Sequence, residues 1–308
     1  MISFVIPVFN EEESLTPFYE DLKSSLKDRK EYEIVFIDDG STDKSLRILK
    51  DLHSKNSNIR IFSFRKNQGK SEALTLGFGK AKGDCIVTLD ADLQDRPSEA
   101  PKLIEKLKEE DFDLACGWRK NRKDPLRKVI SSKFFNFLAS FFWGLKLHDY
   151  NCGLKAYAKD AAKSLRLYGG MHRFIPLLVH EQGFKVCEMP VNHDERKYGK
   201  SKYGFSKLWN DLPDIFTMLF LTRYSKRPLH FFGPIGFIFL TIGGAILAYL
   251  FAIKIMGQGI GDRPLLFLGM ILVLSGFQVL FTGFLADIII NTSSKETKDF
   301  PIKYSSEK

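Results

Sequence analysis

Four cysteines in 308 residues, with no C-x-x-C pair among them, supply neither a disulfide framework nor a zinc-ribbon spacing. Cys85, Cys116, Cys152 and Cys187 are widely scattered, as reduced core thiols of a cytosolic domain would be. A basic n-region ahead of an apolar stretch is also missing. Met1 leads directly into ISFVIPVFN, so no signal peptide is expected. Glycines placed for a dinucleotide turn are absent too: Gly77, Gly79 and Gly83 read G-x-G-x-x-x-G and fall late in an expected helix, not after a strand. Charge itself disappears from two stretches, 231–253 and 264–286. Each is long enough to cross a hydrocarbon core of about 30 Å as a helix. The short loop between them, 254–263, makes the pair a hairpin with both outer flanks on one side of a membrane.

Acids are outnumbered, 37 Asp and Glu against 46 Lys and Arg, for a net charge of +9. The excess is clustered. Residues 119–133 hold seven Lys or Arg and one acid, Asp124, and residues 196–207 hold five and none. Such patches suit phosphates or anionic lipid surfaces. No nucleic-acid recognition motif accompanies them, so nucleic acid is not an expected partner. Basic residues flank the hairpin on its outer side, which by the positive-inside rule puts the N-terminal domain in the cytoplasm.

What is present in the first two thirds is alternation. Short β-branched runs at 3–7, 33–37, 59–64, 85–90 and 112–117 are separated by helical periodicities, among them Leu15, Phe18, Leu22 and Leu26. Asn10 with Glu13 three residues on reads as a helix N-cap and its partner. The pattern predicts an α/β domain, doubly wound on a mostly parallel sheet, and ligands of such sheets bind at the carboxyl ends of the strands. PVFNEE, DDGSTD, DADLQD and GWR all fall at those ends. In DADLQD, Asp90, Asp92 and Asp95 lie within six residues. A strand end can turn the carboxylates at i and i+2 toward one point. Two like charges that close repel unless a cation sits between them, and hard oxygen ligands favour Mg²⁺ or Mn²⁺ completed by substrate phosphates. Further on, Phe134, Leu138, Phe141, Phe142 and Leu145 form an apolar face between basic flanks, and Leu208, Trp209, Leu212, Ile215, Phe216, Leu219 and Phe220 form another. Both read as helices that lie in a membrane interface.

Taken together, PVFNEE, IDDGSTD, LDADLQD, GWRKNRKD, LRKVIS, DYNCGLKAY and NHDERKYGKSKY resemble glycosyltransferase family 2. Within it they are most similar to polyprenyl-phosphate glycosyltransferases of the dolichol-phosphate mannosyltransferase type, in the family's order across 1–203. The two-span hairpin is similar to the bacterial membrane-bound branch. The resemblance implies a GT-A fold: a catalytic domain over 1–205, a juxtamembrane amphipathic helix over 206–228, two transmembrane helices over 229–290 and a flexible polar tail over 291–308. It implies that Pro7, Phe9, Glu11, Ile37 and Asp39 hold the base and ribose of a nucleotide-sugar, while Asp38 shapes the turn. Asp90, Asp92 and Gln94 would gather the metal and diphosphate, with Ala91 contributing its backbone. Arg119, Arg127 and Lys128 would meet donor or acceptor phosphates. Arg196, Ser201 and Lys202 would belong to a mobile loop over the site. Asp149 is the candidate catalytic carboxylate beside the acceptor; the motif that it opens has Tyr150 and Cys152 where relatives often carry Pro and Ser.

The implied reaction is a metal-dependent inverting transfer, Mg²⁺ or Mn²⁺ assisting, from a UDP- or GDP-sugar, with UDP favoured. The acceptor would be undecaprenyl or dolichyl phosphate, whose phosphate is mostly dianionic at neutral pH and needs no strong general base. The enzyme would sit in the inner (plasma) membrane with its catalytic domain on the cytoplasmic side, with a homo-oligomer possible. A processive polysaccharide synthase is disfavoured because no Q-x-x-R-W element is present. A family 2 transferase acting on a saccharide or lipopolysaccharide acceptor is the standing alternative.

Overall fold

A computed structural model describes residues 1–26, 31–109, 111–120, 126–194, 216–224 and 227–293. They belong to two compact units, Met1–Ile215 and Phe216–Lys308.

The first unit is built on a seven-stranded sheet in the order β3-β2-β1-β4-β6-β5-β7. Its strands are β1 (Ile2–Val8), β2 (Tyr32–Asp38), β3 (Ile59–Ser63), β4 (Cys85–Thr88), β5 (Leu114–Trp118), β6 (Lys155–Ala158) and β7 (Val186–Pro190). β1 pairs in parallel with β2 and β4, β2 with β3, and β5 with β7. Only β6 runs the other way, antiparallel to both β4 and β5. The expected mostly parallel sheet is therefore correct, with one reversed strand inserted near its middle. β6 (KAYA) has no β-branched residue and β7 (VCEMP) ends in proline, so neither carries a strand pattern of its own. They are strands because their neighbours pair with them.

Alternate residues of β1 serve opposite helix layers. Phe4 and Ile6 pack with Leu15, Phe18 and Leu22 of α1 (Leu15–Ser25), Leu49 of α2 (Ser45–Lys55) and Leu103 of α4 (Ala100–Glu109). Val5 packs on the other side with Leu74 and Phe78 of α3 (Lys70–Lys80), Ala161 of α6 (Lys159–Ser164) and Val179 of α7 (Ile175–Glu181). Gly77, one of the glycines of the discarded motif, has a packing reason: a Cβ there would sit 2.3 Å from Val5 Cγ1, so α3 lies against β1 only without one. α5 (Leu126–Trp143) buries Ala139 and Trp143 while Phe137 and Phe141 stand 65 % and 73 % exposed, so this helix does offer aromatics outward.

One expectation fails. Asn10 is not a helix cap: α1 starts at Leu15, and Asn10 sits in left-handed backbone (φ 51°) with its Oδ1 accepting from the Thr42 N–H at 2.8 Å. The residue joins two loops instead of opening a helix.

The second unit holds α8 (Leu229–Ile255) and α9 (Pro264–Ser293), each with a 27-residue apolar span. At 1.5 Å per residue these spans reach about 40 Å, more than the hydrocarbon thickness. They pack as a hairpin along a glycine seam. A Cβ on Gly236 would lie 2.9 Å from the Gly276 carbonyl oxygen, and one on Gly243 would lie 2.9 Å from that of Gly269. Small residues letting backbones touch are the usual means of association where lipid replaces water. Phe237, Phe251, Leu274 and Phe281 point outward, an apolar surface suited to acyl chains. Of the second amphipathic face, Leu208, Trp209, Leu212 and Ile215 lie outside the described residues, as does 294–308 of the tail. Phe216 and Leu219 lie in a short helical segment that ends in a π-helical turn, Phe220–Tyr224, whose Phe220 ring meets those of Phe231 and Phe232.

Candidate active site

The loops that follow β1 and β2 are joined residue by residue. The N–H groups of Asn10, Glu11 and Glu12 donate to Ser41 Oγ, Ser45 Oγ and Asp43 Oδ2 at 3.0, 2.8 and 3.1 Å, and the Lys44 N–H donates back to Glu12 Oε2 at 2.9 Å. PVFNEE and DDGSTD are thus one layer at the carboxyl edge of the sheet. Asp38 shapes the turn as expected, accepting from Ser41 N–H (3.2 Å) and Ser63 Oγ (2.6 Å). Asp39 is buried and grips the next loop. It accepts from the N–H groups of Gln68 (2.7 Å) and Gly69 (3.0 Å) and from Asn67 Nδ2 (2.9 Å). Burial pushes the Asp39 carboxyl above its usual range despite those bonds, with Glu72 and Asp38 adding to the effect. Pro7, Phe9 and Glu11 are half-buried along this edge, and Glu11 Oε2 accepts from Ser14 Oγ at 2.8 Å. Ile37 is different: its side chain is sealed in the core against α3, so only its backbone is available to a ligand.

β4 ends at Thr88 and delivers the acidic loop. Asp90 is gripped by Lys70 from the first turn of α3, Nζ lying 2.6 Å from Oδ1 and 2.8 Å from Oδ2. Burial works against the Asp90 carboxylate, but Lys70, by charge and hydrogen bond, outweighs it with help from Lys155, so the carboxyl is held below its ordinary value. Asp92 Oδ1 accepts from the Gln94 N–H at 3.2 Å. Ala91 is buried, leaving its backbone to any ligand. Asp95, the third acid, turns inward: it accepts from the Leu154 N–H and pairs with His193 Nδ1, both at 3.1 Å. Alongside, Arg96 holds Asp194 through two bonds of 2.6 and 2.9 Å, and the Asp194 N–H donates to the Gln94 carbonyl. The acidic loop is thereby fastened to the chain just ahead of residue 195.

Do these donors fit a divalent cation? No group of three or more His, Cys, Asp or Glu converges among the described residues. Two carboxylates and the Gln94 amide are what Mg²⁺ ordinarily accepts from a protein when substrate phosphates supply the rest. Gly153 packs closely against this loop: a Cβ there would fall 2.6 Å from Asp90 Oδ2 and 3.0 Å from Asp95 Oδ2. The donor set fits.

Arg119, just beyond β5, and Asp149, ahead of β6, meet as a bidentate pair with Nε–Oδ2 2.7 Å and Nη2–Oδ1 3.0 Å. Their side chains are only 12 % and 3 % exposed. Burial disfavours the guanidinium, yet Asp149 keeps it charged at any accessible pH. Asp149 also accepts from the Asn151 N–H, so both its oxygens are committed. Next to the pair, Trp118 stacks on His148 with ring centroids 4.2 Å apart. Arg127 and Lys128 lie on the first turn of α5, with side chains outside the described atoms, and Arg196, Ser201 and Lys202 lie outside the described residues altogether.

Lys70 and His172 take places in this site that no motif in the sequence singled out, and Gly153 and Lys155 lie inside DYNCGLKAY without a role having been read for them. Lys155 is buried in β6 between Thr88 and Cys116, its ammonium donating to the Cys152 carbonyl. None of the four buried cysteines forms a disulfide, and burial raises the thiols of Cys116 and Cys152, which makes those two inert core groups.

Comparison with known proteins gives this geometry a lineage. The profile of the family described as Glycosyl transferase family 2 matches residues 3–166. A dodecaprenyl-phosphate galacturonate synthase from Rhizobium johnstonii is 39% identical over 297 residues, 94% of this chain and 88% of the relative. An undecaprenyl-phosphate 4-deoxy-4-formamido-L-arabinose transferase from Proteus mirabilis is 32% identical over 292 residues, again 94% and 88%. Among solved structures, glucosyl-3-phosphoglycerate synthase from Mycobacterium tuberculosis, bound to Mn²⁺ and uridine-diphosphate-glucose, superposes with a TM-score of 0.55 at 18% identity, over 72% of this chain and 78% of that one. At that identity the likeness is one of fold.

Proposed function

Since this chain belongs to glycosyltransferase family 2, we propose that it transfers a sugar from a nucleotide-sugar onto a polyprenyl phosphate at a membrane surface. One observation carries the reading. Two relatives matched over nearly the whole chain, apolar helices included, are named for different sugars but for the same kind of acceptor. The acceptor class is thus the property that this length of sequence supports best. The sugar is left to experiment, galacturonate being the first to try. UDP is the favoured carrier, on the bacterial two-span layout.

In this reading the base and ribose lie against Pro7, Phe9, Glu11, the Ile37 backbone and Asp39. Asp90, Asp92 and Gln94, with the Ala91 backbone, face the diphosphate. A divalent cation held by Asp90, Asp92 and Gln94 would supply charge to the leaving nucleoside diphosphate. Lys70 supplies a fixed positive charge from the protein at the same place, and such preorganised charge is an effective way to stabilise a departing anion. Arg119 and Arg127 meet the donor or acceptor phosphates, Arg196 the nucleotide-sugar, and Lys128, Ser201 and Lys202 the acceptor phosphate. A lipid monophosphate is already mostly dianionic near pH 7 and serves as its own nucleophile. Asp149, with both oxygens on Arg119, orients that arginine instead of abstracting a proton. A single displacement inverts the anomeric carbon. The apolar hairpin and the outward phenylalanines of α5 keep the reaction at the bilayer, with the catalytic unit on the cytoplasmic face of the inner membrane.

The test is the product. Detergent-purified protein, undecaprenyl phosphate, Mn²⁺ and a panel of UDP- and GDP-sugars should yield a lipid-phosphate-linked sugar identified by mass spectrometry, and EDTA should abolish it. Transfer to a saccharide or lipopolysaccharide acceptor with no lipid-phosphate product would overturn the acceptor assignment.

A further inference from the structure

His172 sits in a short 3-10 turn, Met171–Phe174, laid against the first turns of α3. The joint is dense. The Gly169 N–H donates to Glu72 Oε1 at 3.0 Å, and Leu167 exchanges two bonds with Thr75 Oγ1, accepting at 3.0 Å and donating at 2.8 Å. At its centre is the buried hydroxyl of Ser71, which touches three groups: the Gly169 carbonyl at 2.7 Å, the His172 backbone N–H at 3.0 Å and His172 Nδ1 at 3.0 Å.

Counting protons fixes the imidazole. A serine hydroxyl has one proton to give and two lone pairs. A carbonyl can only accept, so the proton goes to Gly169, and a backbone N–H can only donate, so it takes one lone pair. The remaining lone pair faces Nδ1, which must therefore carry a hydrogen. His172 is held as the Nδ1–H tautomer, and its Nε2 presents a bare lone pair. Burial, then Lys70 and Arg173, push the imidazole down to about 3, so Nε2 stays unprotonated at neutral pH. The ring is also in hydrogen-bond range of the Gly169 carbonyl, and Nε2 is not one of the buried atoms left without a partner.

The neighbourhood is the donor site. Ser71 follows Lys70, whose ammonium grips Asp90, and His172 lies within electrostatic range of both charges. A loop anchor would need only Nδ1 and the backbone. What remains is a neutral acceptor close to the carboxylate and cation that face the diphosphate, where the sugar attached to that diphosphate has to lie. The cations that act on the imidazole, Lys70 and Arg173, can only donate. We propose that His172 reads the transferred sugar, its Nε2 accepting a hydrogen bond from one sugar hydroxyl, with Ser71 as the positioning residue that fixes the tautomer. The proposal rests on the nucleotide-sugar reading given above and adds a contact to the sugar itself.

The test uses the full chain in detergent with Mn²⁺ and compares free UDP and GDP with UDP-glucose, UDP-galactose, UDP-galacturonate and GDP-mannose as binding probes. In His172→Asn the side-chain amide keeps a donor for Ser71 and loses the distal acceptor. The expected result is unchanged affinity for the free nucleoside diphosphate and an affinity about tenfold lower for the donor that wild type binds. In a deoxy series of that donor, one position should cost wild type about tenfold and the variant nothing more. Equal weakening of nucleotide and nucleotide-sugar, weakening of Mn²⁺ binding alone, or no weakening at all would each overturn the sugar contact. If wild type binds none of the probes, the nucleotide-sugar reading falls first and takes this proposal with it. His172→Gln, which returns an acceptor to the distal position, should recover part of the loss.

Discussion

Asp149→Asn should damage fold and reaction together. Asp149 is 2 % exposed, and both of its oxygens take bonds from the Arg119 guanidinium, which is itself nearly buried. Asparagine keeps the shape and removes the charge, so a guanidinium that cannot deprotonate is left without its counter-ion. Removing one partner of a buried pair costs about 3–5 kcal/mol. The 12 % exposure of the Arg119 side chain lets some water reach it, so the lower end, about 3 kcal/mol, is the expected figure. For a unit of this size each kcal/mol moves the midpoint by about 2–4 °C, giving a fall of about 6–12 °C. The assay is thermal unfolding of the detergent-purified chain beside donor turnover, for Asp149→Asn, Arg119→Met and the double variant Arg119→Met/Asp149→Leu. If the two residues act as one unit, the double variant is no less stable than the worse single one, and the turnover losses do not compound. A native midpoint with turnover lost in Asp149→Asn would refute this reasoning and make Asp149 a general base. So would strictly additive effects.

Three further outcomes follow from the same geometry. Gly153→Ala puts a methyl group where the Asp90 and Asp95 carboxylates now sit, so steady-state turnover should fall about 100-fold, with a weaker apparent Mn²⁺ affinity and a near-native circular dichroism spectrum. Lys70→Met removes the charge that holds the Asp90 carboxyl low and leaves burial, which pushes it up. The carboxylate is then lost earlier on acidification, and the acid limb of the kcat/KM profile should move to higher pH. Glu33 is a structural case of the opposite balance to Asp39: burial raises it, but Ser3, Arg60 and the Lys82 N–H bring its carboxyl below the usual value. A depressed folded-state value gives stability that is present above about pH 4.3 and lost as pH falls through the folded value. The unfolding midpoint of Glu33→Gln should therefore depend less on pH between about 5 and 3 than that of wild type.

Much of this was legible in the sequence because strong local signals coincide with the sheet. β1, β2 and β4 are apolar runs buried on both faces, and each ends in the polar cluster that becomes part of the site. The hairpin was legible for the simplest reason, two long stretches without charge. β6 was not, because Lys-Ala-Tyr-Ala has no strand preference and is held by β4 and β5 on either side. Lys70 and His172 were invisible for a related reason. Twenty residues separate Lys70 from Asp90, and 101 separate His172 from Ser71, so only the packing of α3 brings them together. Asn10 misled because a loop-bridging asparagine and a helix cap look alike before tertiary contacts are known. Gly153 carried a faint signal, a glycine inside DYNCGLKAY, but nothing in the sequence showed that two carboxylates need its missing side chain.

Release of nucleoside diphosphate is the most direct test of the central claim. Purified chain in detergent, with Mn²⁺ and a panel of UDP- and GDP-sugars, would be assayed with and without undecaprenyl phosphate. The account expects one donor to be turned over, only when the lipid phosphate is present, and turnover to vanish in Asp92→Asn. Release that ignores the lipid phosphate, or survives in Asp92→Asn, would contradict it.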